Sequence, residues 1–219
     1  MCGLRGTGIE RPKSASVFLS LRRPDDCQIL GPMREIASLT NHFLIAMPSL
    51  ADSNFYRTVT FLCEHSPEGA MGIVINRTTD LRLGDILEQL DIETDDPRLA
   101  EQPVYLGGPV QNNRGFVIHE PLGNWESTLP VTDTIGVSTS RDILAAIAAN
   151  RGPDRYLVAL GYAGWGAGQL EREIAENSWL SGPADRSILF ELPLEQRWAA
   201  AAGLVGVDLT LLSPEAGHA

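Results

Sequence analysis

The sequence predicts an α+β domain built on a mixed sheet. Two observations carry this: a pair of β-rich runs joined by a turn near residue 66, and a later alternation of apolar strands with helix-period segments. A third, the lack of any internal repeat or low-complexity tract, argues against a solenoid. With 219 residues and 43% hydrophobic content the chain can bury a real core.

Taken in order, residues 43–47 read as a buried strand stopped by Pro48. Residues 58–65 and 70–76 read as two strands joined across Ser66-Pro67-Glu68-Gly69, a hairpin signal. Residues 83–90 place Leu83, Ile86, Leu87 and Leu90 on one helical face. Residues 104–106 and 115–119 read as strands around the turn Gly107-Gly108-Pro109. Residues 135–137 lead into Ser138-Thr139-Ser140, cap-type residues opening a helix over 142–149 that Gly152-Pro153 ends. Residues 155–160 form an apolar strand. The chain then turns through Gly161, Gly164, Gly166 and Gly168, around Trp165, into a helix with Leu170 and Ile174 four apart. Residues 187–192 read as a late strand, and Pro193 as the start of a helix over 194–202.

Residues 1–32 lack such patterning and carry no apolar segment ending in a small-residue cleavage site. Met33 follows directly and is the expected physiological start. The expectation is therefore a disordered or mis-called extension over 1–32, one domain over 33–214 and a flexible tail over 215–219.

Charge and cysteine usage narrow the function classes. The chain carries 17 basic and 28 acidic residues, a net −11, and its only lysine is Lys13. Residues 1–32 are net +2, so the remainder is net −13. Such a body repels phosphate backbones and lacks a basic stripe, which opposes direct nucleic-acid binding. Of three cysteines, Cys2, Cys27 and Cys63, only the last lies in the patterned body. That excludes a disulfide framework and a cysteine-rich zinc site and fits the cytoplasm. No apolar run approaches the roughly 20 residues needed to span a bilayer.

Four places could carry chemistry. In a regular strand Val59, Phe61, Cys63 and His65 share one face and Glu64 points to the other. Cys63 with His65 could form a nucleophilic pair, or Cys63 is a core hydrophobe and His65 caps the turn. Glu64 with His65 could act as an acid–base or polar ligand pair. His42 and His119 are isolated and lack metal-ligand spacing, so no metal is expected. Gly107 and Gly108 could present backbone N–H groups or simply reverse the chain. The stretch 161–168 matches neither G-x-G-x-x-G nor a lysine-bearing P-loop. Gln169, Glu173 and Glu176 line one face of the following helix, as a polar binding wall or a solvated stripe. Carboxylates in its first turn disfavour a phosphate there.

Four ordered blocks carry a family likeness: Asn41-His42-Phe43-Leu44-Ile45-Ala46-Met47-Pro48, the run from Cys63 to Asn76, Gly107-Gly108-Pro109-Val110, and Gly164-Trp165-Gly166-Ala167-Gly168-Gln169-Leu170-Glu171. Over roughly residues 38–213 the chain resembles the bacterial YqgE/AlgH family. The resemblance implies a single compact α+β domain whose mixed sheet is strongly curved and flanked by helices. It assigns no activity, although some members are labelled transcriptional regulators of alginate synthesis. The positions carried over as candidate ligand-binding residues are Glu64, His65, Asn76, Gly107, Gly108, Trp165, Gly166, Gln169 and Glu171.

Two function classes follow. The first is a regulatory or interaction protein that binds a protein partner or a small polar ligand without turnover. The second is an enzyme with its site between the Glu64–His65 turn and the 161–168 stretch, which requires Glu64 or His65 within hydrogen-bond reach of that stretch in one concave pocket. Direct DNA binding is opposed by charge and by the lack of a helix-turn-helix signature. No catalytic set, metal set or cofactor fingerprint can be assembled, so the first class leads and no cofactor is expected.

Overall fold

The computed structural model describes residues 38–208, so the expected extension over 1–32, the proposed start at Met33 and the tail over 215–219 lie outside the described residues. Ten strands and six helices follow one another within that span. They are β1 (His42–Ala46), β2 (Val59–Ser66), β3 (Gly69–Val74), β4 (Thr78–Arg82), α1 (Leu83–Gln89), α2 (Pro97–Ala100), β5 (Pro103–Leu106), β6 (Val110–Glu120), β7 (Thr128–Pro130), β8 (Gly136–Ser138), α3 (Arg141–Ala148), β9 (Arg155–Gly166), α4 (Gln169–Ala175), β10 (Trp179–Pro183), α5 (Arg186–Phe190) and α6 (Leu194–Leu204).

The sheet runs β10-β1-β2-β3-β9-β6-β8-β7, with β4 and β5 attached beside it. Every pairing is antiparallel except that of β5 with β9, which makes the sheet mixed. The turn at Ser66–Gly69 closes the β2–β3 hairpin, with Ser66 opposite Gly69.

β9 organises the curl. One of its edges pairs with β6 along most of its length, from Glu120 opposite Arg155 to Val110 opposite Tyr162. The other edge takes β5 at Ala159 and Leu160, then β3 from Ala163 to Gly166. The change of partner falls at Gly161, whose φ of +74° is one an L side chain rarely adopts. A Cβ there would also strike the Gly108 carbonyl. The kink lets one strand serve two partners that diverge, and the sheet bends into a half-barrel.

Two expectations are corrected. The glycine stretch 161–168 is not a loop: β9 continues to Gly166, and the turn is confined to Ala167 and Gly168. Burial alternates along it, with Ala163 and Trp165 buried and Gly164 and Gly166 exposed. The glycines hid a period-two pattern by leaving the outward positions without side chains. Residues 187–192 are not a strand: they belong mainly to α5, where the Asp185 side chain accepts from the Ser187 and Ile188 N–H groups. That N-cap decides the helix over a short apolar run. The strand at this edge is β10, which pairs along the whole of β1.

The core lies on both sides of the sheet. One cluster, including Phe43, Phe61, Ile73, Ile118 and Ala159, is covered by α5 and α6 through Ile188, Leu189, Ala201 and Ala202. A second packs α1 and α3 against Val104, Val117 and Val158. A third gathers Leu44, Leu62, Ala163, Trp165, Leu170 and Trp179 beneath α4. Of the four apolar residues predicted for the face of α1, Leu83, Ile86 and Leu87 are buried, while Leu90, just past the helix end, stays 36% exposed.

Candidate functional site

The Trp165 corner is held by one carboxylate. Trp165 Nε1 and Trp179 Nε1 both donate to Glu173 Oε2, each at 2.9 Å. Gln169 Nε2 donates to the other oxygen at 2.8 Å, and Gln169 Oε1 in turn accepts the Gly166 N–H at 3.1 Å. Phe55 packs on both indoles, with ring centroids 6.2 Å from Trp165 and 5.4 Å from Trp179. Two members of the expected polar helix face, Gln169 and Glu173, therefore bond inward, and only Glu176 is exposed. Gly168 caps α4 in the left-handed region, at φ 67°.

His65 and Cys63 separate because β2 is not regular. A β-bulge between Leu62 and Glu64 breaks the alternation. Cys63 packs in the α5/α6-covered cluster, whereas His65 turns to α4 and Glu64 is exposed. His65 Nδ1 accepts the Leu39 N–H at 3.0 Å, which leaves Nε2 to donate to Glu171 Oε1 at 2.9 Å. The carboxyl of Glu171 is held below the ordinary carboxylate range, first by its own backbone N–H and also by His65. The proposed Cys63–His65 pair does not form. The thiol of Cys63 is fully buried and pushed far up by that burial, with Glu64 adding to it, so no thiolate is available.

Asn76, Gly107 and Gly108 have structural partners. Asn76 Oδ1 accepts from the Val59 N–H at 2.8 Å and Nδ2 donates to the Arg57 carbonyl at 2.9 Å, tying the end of β3 to the start of β2. A Cβ at Gly107 would collide with the Gly161 carbonyl, and one at Gly108 with the Tyr162 backbone. These two glycines let the end of β5 approach β9 at its kink.

Another buried polar group sits at the β6–β8–β7 end of the sheet. His119 Nδ1 lies 3.0 Å from the Pro121 carbonyl and Nε2 lies 2.8 Å from Ser138 Oγ, which is 2.7 Å from Thr128 Oγ1. The carbonyl fixes the proton on Nδ1, so Nε2 accepts from Ser138. Burial pushes the imidazole below its ordinary range. His119 and Ser138 are each 0% exposed, so this serine–histidine pair offers no approach to a substrate.

A cleft of about 380 Å³ opens on the other face of the β2–β3 hairpin, lined by Glu64, Ser66, Glu68, Met71, Tyr162 and Trp165 among others. It brings together Glu64 and Trp165 of the sequence-derived set and no other member of that set. The Glu68 carboxyl is held below its ordinary range by the Ser66 hydroxyl, so it stays ionised. A second cleft of about 270 Å³ adjoins it and shares Met71 and Tyr162. Arg114 and Phe116 line that second cleft, and neither was singled out from sequence. Their signal was the polar run Gln111-Asn112-Asn113-Arg114 inside a strand. It marks the irregularity in β6 where the register with β9 slips between Val110 and Gly115.

Comparison with known proteins bears on the whole described body. Residues 43–210 match the model of the family described as AlgH-like, DUF179. A UPF0301 protein of Thioalkalivibrio sulfidiphilus is 60% identical over 187 residues, which is 85% of this chain and 100% of the relative. One from Nitrosococcus oceani is 55% identical with the same coverage. The solution structure of the AlgH protein from Pseudomonas aeruginosa is 52% identical, superposes with a TM-score of 0.70 and is covered over 97% of its length, using 84% of this chain. A crystal structure from Corynebacterium diphtheriae, 19% identical with a TM-score of 0.64, shares the fold. The half-barrel, the four motif blocks and these matches agree: the chain belongs to the AlgH-like family.

Proposed function

We propose that this protein binds a small cationic ligand, without turning it over, in the cleft formed by the β2–β3 hairpin and the end of β9. The supporting observation is how polar groups are distributed around that cleft. Behind its wall, the side chains of His65, Gln169, Glu171 and Glu173 are bonded to other groups of the protein. In front of it, Glu64 is exposed on the open side beside an ionised Glu68 and the ring of Tyr162. Two carboxylates beside an aromatic ring attract an ammonium or guanidinium group by charge and by the ring quadrupole. No activated nucleophile shares the cleft, since Cys63 is buried on the inner face and Ser138 is enclosed. The acidic surface that opposes nucleic acid favours the same class of ligand.

A thermal-shift screen of the full chain against mono- and diamines, quaternary ammonium compounds and guanidinium compounds tests this reading. The expected result is a saturable rise in Tm with at least one compound, weakened at least tenfold in a Glu64→Gln/Glu68→Gln double variant. Equal stabilisation of wild type and double variant would place the site elsewhere. Turnover of a bound compound would favour the enzyme reading instead.

A further inference from the structure

The cleft adjoining the acidic one has the opposite charge. Arg114 stands at its wall, in the part of β6 between Val110 and Gly115 where the register with β9 slips. Its guanidinium lies 5.6 Å from the Phe116 ring centroid. Nη1 donates to Gln111 Oε1 at 3.3 Å and Nη2 to Thr139 Oγ1 at 3.2 Å. Both partners are neutral, and among the described residues no carboxylate pairs with Arg114. A guanidinium has five N–H donors, so three remain unused here. The guanidinium is held in place by an aromatic ring and two neutral acceptors, and it lines the cleft. Planar donors of this kind match a carboxylate, which can take two parallel N–H bonds.

The surroundings restrict the anion. Met71, Phe116, Leu129, Val137 and Tyr162 contribute apolar surface to the cleft, which suits an organic body better than a hydrated inorganic ion. Because Met71 and Tyr162 line both clefts, one molecule can lie across them with Arg114 at one end and Glu64 and Glu68 at the other. We infer that Arg114 receives the carboxylate of a zwitterionic, peptide-like ligand whose ammonium group sits between Glu64 and Glu68. This inference rests on the cation-binding reading of the acidic cleft and assigns the other end of the same ligand.

Isothermal titration of the full chain with unmodified alanine peptides of two to five residues tests it, alongside their C-terminal amides and N-acetyl forms. One length should bind best. Amidation should cost at least tenfold with wild type and little with Arg114→Gln, and N-acetylation should cost at least tenfold with wild type and little with Glu64→Gln/Glu68→Gln. Circular dichroism of the variants checks that they remain folded. Amides binding as tightly as acids would overturn the role of Arg114. N-acetyl peptides binding as tightly as free ones would mean that Arg114 reads only a chain's C-terminal carboxylate, overturning the zwitterion. If no peptide binds while simple amines do, the inference falls and the cation site stands; if neither binds, both fall.

Discussion

Trp165 and Trp179 share a single acceptor, Glu173 Oε2, at 2.9 Å each. One residue sits on the strand β9 and the other on β10, so the carboxylate on α4 joins two strands that do not pair with each other. The corner marked by Trp165 in the sequence is thus a brace. Its indole is 6% exposed and has its donor satisfied inside the protein.

Removing that acceptor should be costly. Glu173→Ala leaves two buried indole N–H groups unpaired, at about 1–3 kcal/mol each. A loss of about 2–6 kcal/mol in denaturant unfolding is expected, with a change in tryptophan fluorescence of the native state. Gln169→Ala, which removes both the donor to Glu173 and the acceptor for the Gly166 N–H, should cost about 1–3 kcal/mol.

Glu171, held by its own backbone N–H and by His65, predicts an acid-sensitive contribution. Glu171 titrates below its ordinary value in the folded protein. A depressed folded value means the charged form is favoured by folding, so the contribution is complete above the unfolded value of about 4.3 and is lost as pH falls through the folded one. Glu171→Gln keeps an acceptor for His65 but removes the charge. The stability gap between wild type and this variant should shrink steadily below about pH 4.3; a gap independent of pH there would contradict the assignment.

His119 acts in the same direction but at higher pH. Burial holds its folded value below normal, so the unfolded chain takes up the proton first. Its contribution is complete above about pH 6.5 and declines as pH falls from there towards the folded value, with a limiting slope of about 1.4 kcal/mol per pH unit. A His119→Gln variant should be less stable at pH 7.5 and show a flatter decline between pH 7 and 5 by calorimetry.

Cys63 should be inert in the native state. In a Cys2→Ser/Cys27→Ser background, a chromogenic disulfide reagent should react with Cys63 only at the rate of global unfolding, and with one equivalent in denaturant. Fast native-state labelling would revive the nucleophile reading.

Much of the fold was legible in the sequence, for identifiable reasons. The β2–β3 hairpin and the apolar face of α1 rest on local patterns that packing did not override. The stretch 161–168 misled because glycine normally signals a turn, whereas here Gly164 and Gly166 occupy the exposed side of a paired strand. The separation of His65 from Cys63 depends on a bulge, which no alternation rule can locate. Of the candidate site only Glu64 and Trp165 were singled out from sequence: Ser66 and Glu68 read there only as turn residues, and Met71 and Tyr162 come from strands far apart in sequence. Their meeting is a matter of register.

The central claim is that the hairpin cleft, and not the bonded motif residues behind it, receives the ligand. A ¹⁵N–¹H NMR titration of the full chain with 1,4-diaminobutane tests it most directly. Saturable shifts should appear for the backbone amides of Glu64, Glu68–Met71 and Tyr162–Trp165, and should vanish in Glu64→Gln/Glu68→Gln. Absence of any saturable shift, or shifts confined to His65, Gln169, Glu171 and Glu173 behind the cleft, would contradict it.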